Sequence, residues 1–209
     1  LEAEKVANSR KFIFKITDDG GTRVSIIFTF RGAEFEAINN LLMNYSKEDQ
    51  NEVIHNFLPF NAFDLYDWKM IKNGRDEQYV TLSVSAEINQ IVNPIGDQYY
   101  FSFQRTGIPE MESPQVRNLP VMLPYPLETY DTITYILPAG KRITEIPEDK
   151  LLESKYGKYS VKFANQGETL IIYRHFKLNA QYINAKDYQE FYNFIAFIKS
   201  HEKLKILFR

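Results

Sequence analysis

Two ten-residue runs constrain this chain more than any other feature in it. TRVSIIFTFR (22–31) sets Val24, Ile26, Phe28 and Phe30 in one phase and Arg23, Ser25, Ile27, Thr29 and Arg31 in the other. YVTLSVSAEI (79–88) repeats the device, with Val80, Leu82, Val84, Ala86 and Ile88 alternating against Tyr79, Thr81, Ser83, Ser85 and Glu87. A period of two over this length is the signature of a strand with one apolar face and one solvated face. KFIFKI (11–16), joined to the first run by DDGG, completes a predicted β-hairpin, and Asp18 and Asp19 are read as turn chemistry rather than a cation site.

Between these strands the period changes. Phe35, Ile38, Leu41 and Leu42 recur at helical spacing after Gly32. A second helix is expected from Ser46, with Asp49 at the capping-box position and Val53, Ile54, Phe57 and Leu58 inward, and Pro59 ends it. With QYYFSF (98–103) as a further strand, residues 1–105 read as a β-β-α-α-β-β subdomain whose sheet is covered by two helices. Residues 104–126 carry five prolines and no period, which predicts an extended but packed connector and a subdomain boundary.

Residues 106–209 are again strand-rich: TITYILP (132–138), KRITEIP (141–147), KYSVKFA (158–164) and ETLIIYRHFKL (168–178), with a turn at Asn165, Gln166 and Gly167. A helix over 185–200 carries Tyr188, Phe191, Tyr192, Ile195 and Ile198 on one stripe, and LKILF (204–208) closes the chain as a strand. The expected fold class is α+β, predominantly antiparallel β: a helix-covered sheet followed by a β-sandwich-like subdomain with a C-terminal helix. Sixteen Phe and fourteen Tyr suit such sheet packing.

Charge narrows the partners. A formal net charge of −2, with Lys and Arg dispersed, gives no attraction to phosphate backbones or anionic lipid, so nucleic acid is disfavoured as a partner. No apolar run approaches the ~18–20 residues that a membrane-spanning helix needs. LEAEKVANSR lacks the apolar stretch of a signal peptide, so a mature form or an excised fragment is expected. With no cysteine, disulfides, thiolate metal sites and a cysteine nucleophile are excluded, which leaves the compartment open.

The chemistry-bearing residues are weighed one by one. Arg174 and His175 are adjacent in a strand, so their side chains point to opposite faces, Arg174 with Leu170, Ile172, Phe176 and Leu178, and both are expected near the strand rim. Asp187 is expected at the third position of the last helix, behind an Asn184 cap. His201 suits the positive-charge preference of a helix C-terminus, and His55 lies within the second helix with no His-x-x-x-His partner. No catalytic, cofactor-binding or metal-binding residue is assigned. ILPAG lacks the glycines and the Gly-Lys-Ser ending of a phosphate loop, and GRD (74–76) reads as a loop. Trp68 with Tyr66, or Tyr99 with Phe101, are the candidate platform on which a sugar ring or an extended peptide would stack.

A fixed order of features in the second half carries a resemblance. Arg117 precedes Leu119-Pro120-Val121, then TITYILPAG, then Ile146-Pro147, then KYGKYSVKF, then a long strand ending in YRHFKLNAQYINAKDYQEFYNFI. This order resembles the C-terminal domain of unknown function that follows the catalytic core in secreted bacterial transglutaminase-like proteins. The resemblance covers residues 110–209 well and the first half more loosely. It implies a non-catalytic accessory module that packs against an upstream transglutaminase-like domain of the same polypeptide or helps present substrate, in a periplasmic or extracellular setting. The Cys-His-Asp triad of such cores maps onto no residue of this chain. The alternatives are a free-standing carbohydrate- or peptide-binding β-module and a cysteine-independent hydrolase. The latter requires His175 beside a hydroxyl and a carboxylate in a cleft.

Overall fold

A computed structural model of the chain describes residues 7–72, 78–89, 91–102, 107–115, 119–123, 126–179 and 181–209, without the side chains of Ala33, Leu42 and Gln181. The GRD tripeptide, Arg117 and Tyr125 lie outside the described residues.

In chain order the elements are β1 (Asn8–Ile16), β2 (Thr22–Arg31), α1 (Gly32–Asn44), α2 (Lys47–Phe57), β3 (Phe63–Lys72), β4 (Tyr79–Ile88), β5 (Asn93–Ile95), β6 (Gln98–Ser102) and β7 (Val121–Leu123). There follow β8 (Leu127–Ile136), β9 (Ile143–Glu145), β10 (Lys150–Ser154), β11 (Gly157–Gln166), β12 (Thr169–Leu178), β13 (Gln181–Ile183), a 3-10 turn (Ala185–Asp187), α3 (Tyr188–His201) and β14 (Lys205–Phe208). The fold is α+β with mostly antiparallel sheets, as expected.

Eight strands form one sheet in the order β10-β11-β12-β8-β1-β2-β4-β3, and four form a second, β5-β6-β14-β9. The alternation of β2 and β4 fixes their register, with Ile26 opposite Val84 and Phe28 opposite Leu82, so the apolar phases coincide. β1 joins β2 through Phe12↔Ile26 and Phe14↔Val24. Its other edge pairs parallel to β8, Phe12↔Ile133 and Phe14↔Tyr135, which places strands from both sides of the expected boundary in a single sheet. That pairing also builds a single core, in which Phe12, Phe28, Ile133, Ile172 and Phe176 are all buried. Each such side chain contributes about 1.5–3 kcal/mol by leaving water.

The helices and the small sheet all lie on the apolar side of the large sheet. Phe57 of α2 meets Phe28 and Phe30 edge-on at ring distances of 5.1 and 5.6 Å. Phe191 of α3 meets Tyr156 at 5.3 Å, and Phe101 of β6 meets Tyr135 at 4.2 Å. Among the described residues, the other side of the large sheet carries exposed side chains, Ile27, Tyr130, Tyr173 and Leu151 among them. The start of α2 is as expected: Ser46 Oγ accepts the Asp49 N–H at 3.2 Å. Its inner face differs, because Gln50 is buried with Ile54 and Leu58 while Val53 is exposed. The Gln50 amide donates to the Tyr45 carbonyl at 3.0 Å, which draws that face toward the end of α1.

Three details refine the expected elements. β3 and β10 are additional strands, both edge strands whose alternation is broken by charged residues and, in β3, by a bulge between Leu65 and Asp67. The hairpin turn uses Asp19 as expected, its Oδ1 accepting from Thr17 Oγ1 at 2.5 Å and from Gly21 N–H at 3.2 Å. The described stretch 107–115 of the proline-rich connector meets α3: the Tyr188 hydroxyl donates to the Glu112 carbonyl at 2.7 Å, and Lys199 pairs with Glu110 at 2.5 Å. At the start of β11, a Cβ on Gly157 would lie 1.9 Å from the Lys177 carbonyl oxygen, so close approach to β12 requires glycine there.

Candidate functional site

The β8–β12 pair brings titratable residues together on each of its faces. Its register sets Arg174 opposite Asp131 and His175 opposite Tyr130. Adjacent residues of a strand project to opposite sides, so one pair enters the core and the other faces solvent.

On the inner side, Arg174 Nε donates to Asp131 Oδ2 at 2.6 Å, and its Nη2 pairs with the same oxygen. Arg174 Nη1 pairs with Glu202 Oε1, just past the end of α3. The parallel pairing of β1 with β8 brings Arg10 to the same carboxylate, Nε to Oδ1 at 2.6 Å and Nη2 to Oδ2 at 3.0 Å. The side chains of Arg174, Asp131 and Glu202 are 0%, 0% and 1% exposed. Burial opposes the Arg174 charge, but Asp131 and Glu202 outweigh it and raise the guanidinium pKa. For Glu202, burial wins over the attraction of Arg174 and raises its pKa, and its Oε2 has no hydrogen-bond partner. The expected rim position of Arg174 is thus corrected: in-phase carboxylates on β8 and beyond α3 hold it in the core.

On the outer side, His175 Nε2 lies 2.8 Å from Glu128 Oε1, with the imidazole stacked on Tyr130 at 4.3 Å and 2° between planes. The Tyr130 hydroxyl donates to Glu128 Oε1 at 3.0 Å, and Lys177 Nζ is 3.4 Å from Oε2. Burial pushes the Glu128 pKa up, but the hydrogen bonds from His175 and Tyr130 and the Lys177 charge hold it below its ordinary value. Imidazole, carboxylate and hydroxyl do meet here, yet both His175 and Tyr130 address Glu128 and the group stands on an open sheet face. A hydrolase would need the hydroxyl on the imidazole, within a cleft.

Of two hollows, one takes in Arg10 of the inner cluster and the other lies at the Asp18–Asp19 turn. The larger, about 510 Å³, lies between α1, α2 and the sheet and is lined by Phe28, Phe30, Ile38, Phe57 and Pro59, with Asn8, Arg10 and Glu34 among the polar residues. Glu34 is exposed on α1, and desolvation of its carboxyl at the edge of the hollow raises its pKa against the pull of Arg10. The smaller, about 250 Å³, is bordered by the Asp18–Asp19 turn, Tyr99, Lys141 and Phe208.

The aromatic platform residues are dispersed. Phe101 is fully buried in the core, while Tyr99 is 40% exposed, stacked on Phe208 at 5.5 Å with Lys141 Nζ 5.5 Å from its ring centre. Tyr66 is the extra residue of the β3 bulge and hydrogen-bonds Glu87. The bulge turns Trp68 to the opposite face, where its Nε1 donates to Asn51 Oδ1 at 2.6 Å and Lys47 Nζ lies 5.0 Å from its ring. Alternation alone would have kept Tyr66 and Trp68 together.

The histidines are likewise apart. His55 stacks on Phe63 at 4.5 Å, His175 is on the outer face, and His201 lies 3.5 Å from the Tyr159 hydroxyl on the inner side. Burial lowers the His201 pKa, which opposes the helix-end charge expected of it. Among the described residues no group of three or more His, Asp or Glu side chains is placed to hold a metal ion. Asp187 ends the 3-10 turn and precedes α3, and its side chain makes no capping hydrogen bond. Its backbone carbonyl instead accepts the Tyr156 hydroxyl at 3.1 Å. No helix among the described residues is long and apolar enough to cross a membrane.

Arg10, Asp131 and Glu202 were not singled out by sequence reasoning. The first two had a signal: each falls in phase with the apolar residues of its strand, Phe12 and Phe14 or Ile133 and Tyr135. Opposite charges at inward positions of different strands imply a buried pair. Glu202 follows a helix and had none.

No curated protein matches the chain. The family model described as a Domain of Unknown Function with solved-structure structure (DUF3858) matches residues 85–208, which take in β5 to β14, the β8–β12 pair and α3. On that match, the chain belongs to the DUF3858 family of domains of unknown function.

Proposed function

We propose that this chain is a non-catalytic accessory module that packs, through the open face of its large sheet, against a transglutaminase-like core of the same polypeptide in a periplasmic or extracellular protein. The single observation that carries the reading is the one-sidedness of the sheet: α1, α2, α3 and the four-stranded sheet stand on one side, and among the described residues the other is uncovered. On the uncovered side the registers align Ile27, Lys11, Thr132 and Tyr173 in one cross-strand row and Ser9, Tyr130, His175, Ser160 and Leu151 in the next. Ile27, Tyr130, Tyr173 and Leu151 are exposed large hydrophobics set among hydroxyls and lysines, a composition suited to a partly polar interdomain surface. Contact between Phe101 and Tyr135 supports the sandwich-like reading of the second half.

The test mixes the chain with a transglutaminase-like core encoded in its own polypeptide and follows association by sedimentation. A complex is expected, weakened at least about tenfold by Ile27→Asp or Tyr173→Asp, because a charge placed on such a row must be desolvated. Two inert monomers, or a complex indifferent to both substitutions, would remove this reading.

A further inference from the structure

The open face of the large sheet carries charges of one sign that the fold leaves unanswered. Lys162, Tyr173, Thr132, Lys11 and Ile27 lie side by side across β11, β12, β8, β1 and β2, and Lys15 follows Lys11 on the same face of β1. Lys11, Lys15 and Lys162 are exposed, and among the described residues none of the three ammonium groups has an ion pair. The carboxylates near them are already held: Glu128 by His175 and Lys177, Glu153 by Lys158 at 2.6 Å, and Glu87 by Arg23 at 3.9 Å. Asp64 and Asp67, which have no ion pair among the described residues, are confined to the edge strand β3 and share it with Lys69. From β11 to β2, every unanswered charge on this face is therefore positive.

We infer that the docking face takes an acidic protein surface, one whose carboxylates meet Lys11, Lys15 and Lys162 around a centre filled by Ile27 and Tyr173. This rests on the docking role proposed above and adds to it the charge of the partner. With strands ~4.8 Å apart and ~3.4 Å per residue along a strand, Lys11 stands about 14 Å from both Lys162 and Lys15. That separation exceeds the ~8 Å screening length at physiological salt, so each lysine addresses its own carboxylate instead of joining the others around one small anion. Lys15 also stands opposite Arg23, and like charges opposite each other on paired strands are unfavourable to the sheet itself. An acidic partner relieves that repulsion. A second copy of the chain is a poor occupant, because self-pairing sets two lysine-bearing faces against each other. Nucleic acid and anionic lipid call for dense cationic clusters, whereas these lysines are spaced out among Tyr173, Thr132 and Ile27.

Titration calorimetry against the transglutaminase-like core of the same polypeptide, over a series of salt concentrations, tests the inference. Raising sodium chloride from about 50 mM to about 500 mM is expected to weaken the complex at least about tenfold. Lys11→Glu combined with Lys162→Glu is expected to weaken it at least about tenfold at the lower salt and less than about threefold at the higher. Lys186→Glu makes the same change of charge on the exposed 3-10 turn before α3 and is expected to alter it less than about twofold. Ile27→Asp is expected to weaken it more than Ile27→Lys, although either charge must be desolvated. Should the lysine variant fail to fold, the salt series and the Ile27 pair decide. A complex indifferent to salt and to the lysine changes, or one weakened more by Ile27→Lys, overturns the acidic partner and leaves the docking role standing. No complex at any salt removes both. Binding to phosphatidylglycerol vesicles, or self-association, that the lysine variant loses would overturn the inference in favour of lipid or of a second copy.

Discussion

Arg174 and His175 are neighbours in sequence, each pairs with a carboxylate carried by β8, and their physical situations are opposite. The Arg174–Asp131 pair is sealed between the sheet and α3, whereas the His175–Glu128 pair stands on the open face, His175 still 20% exposed. A hydrogen bond of similar length therefore carries different energy on the two sides. Inside, each charge has lost its water and depends on its partner, so removing one partner strands the other. Outside, water and salt replace a lost partner at little cost. The comparison teaches that this sheet separates a structural ion cluster from an adaptable polar surface by one residue of register.

The largest expected effect breaks the inner cluster. Asp131→Asn leaves Arg10 and Arg174 facing a neutral amide and is expected to cost about 3–5 kcal/mol in urea unfolding. A loss under about 1 kcal/mol would mean that the two sides of the sheet do not differ. Arg174→Lys keeps the charge but loses the fork that reaches Asp131 and Glu202 together. It is expected to cost about 1–3 kcal/mol, with the melting temperature as the measurement. His175→Phe preserves the stack on Tyr130 and deletes the Glu128 contact, and here no more than about 1 kcal/mol is expected.

The sharpest contrast is one of sign. Glu202 has a folded pKa above its ordinary 4.5, so the folded state takes up its proton first as the pH falls. The ionised carboxylate costs stability above that folded pKa, and the cost is relieved as the pH drops toward 4.5. Glu128 has a folded pKa below 4.5, so its contribution is complete above that value and is lost as the pH falls through the folded pKa. Stability measured against pH should then show wild type gaining on Glu202→Gln during acidification toward 4.5 and losing its advantage over Glu128→Gln below it. Parallel slopes for the two variants would contradict the assignment of the two carboxylates to opposite environments.

Much of this arrangement was legible beforehand. The phases of β2, β4 and β12 could be read residue by residue, including the separation of Arg174 from His175, because alternation is a local property of the chain. The capping of α2 by Ser46 and the Asp19 turn are local in the same sense, since each closes within a few residues. The aromatic platform was less legible, because a one-residue bulge at Tyr66 reverses the facing of Trp68 and leaves no mark in composition. Asp187 illustrates a different failure. A 3-10 turn before α3 shifts the helix start past Asn184, so the expected capping position is no longer inside the helix.

By itself, then, the sequence determined the strands with one apolar face, the three helices and the α+β class, since these follow from periodicity and capping within short windows. Only the tertiary structure decided that β1 lies parallel to β8, that Arg10 and Arg174 share Asp131, and that Glu202 closes the cluster. Those contacts span 121, 43 and 28 residues, and such distances are set by which apolar faces must be buried together rather than by any local preference.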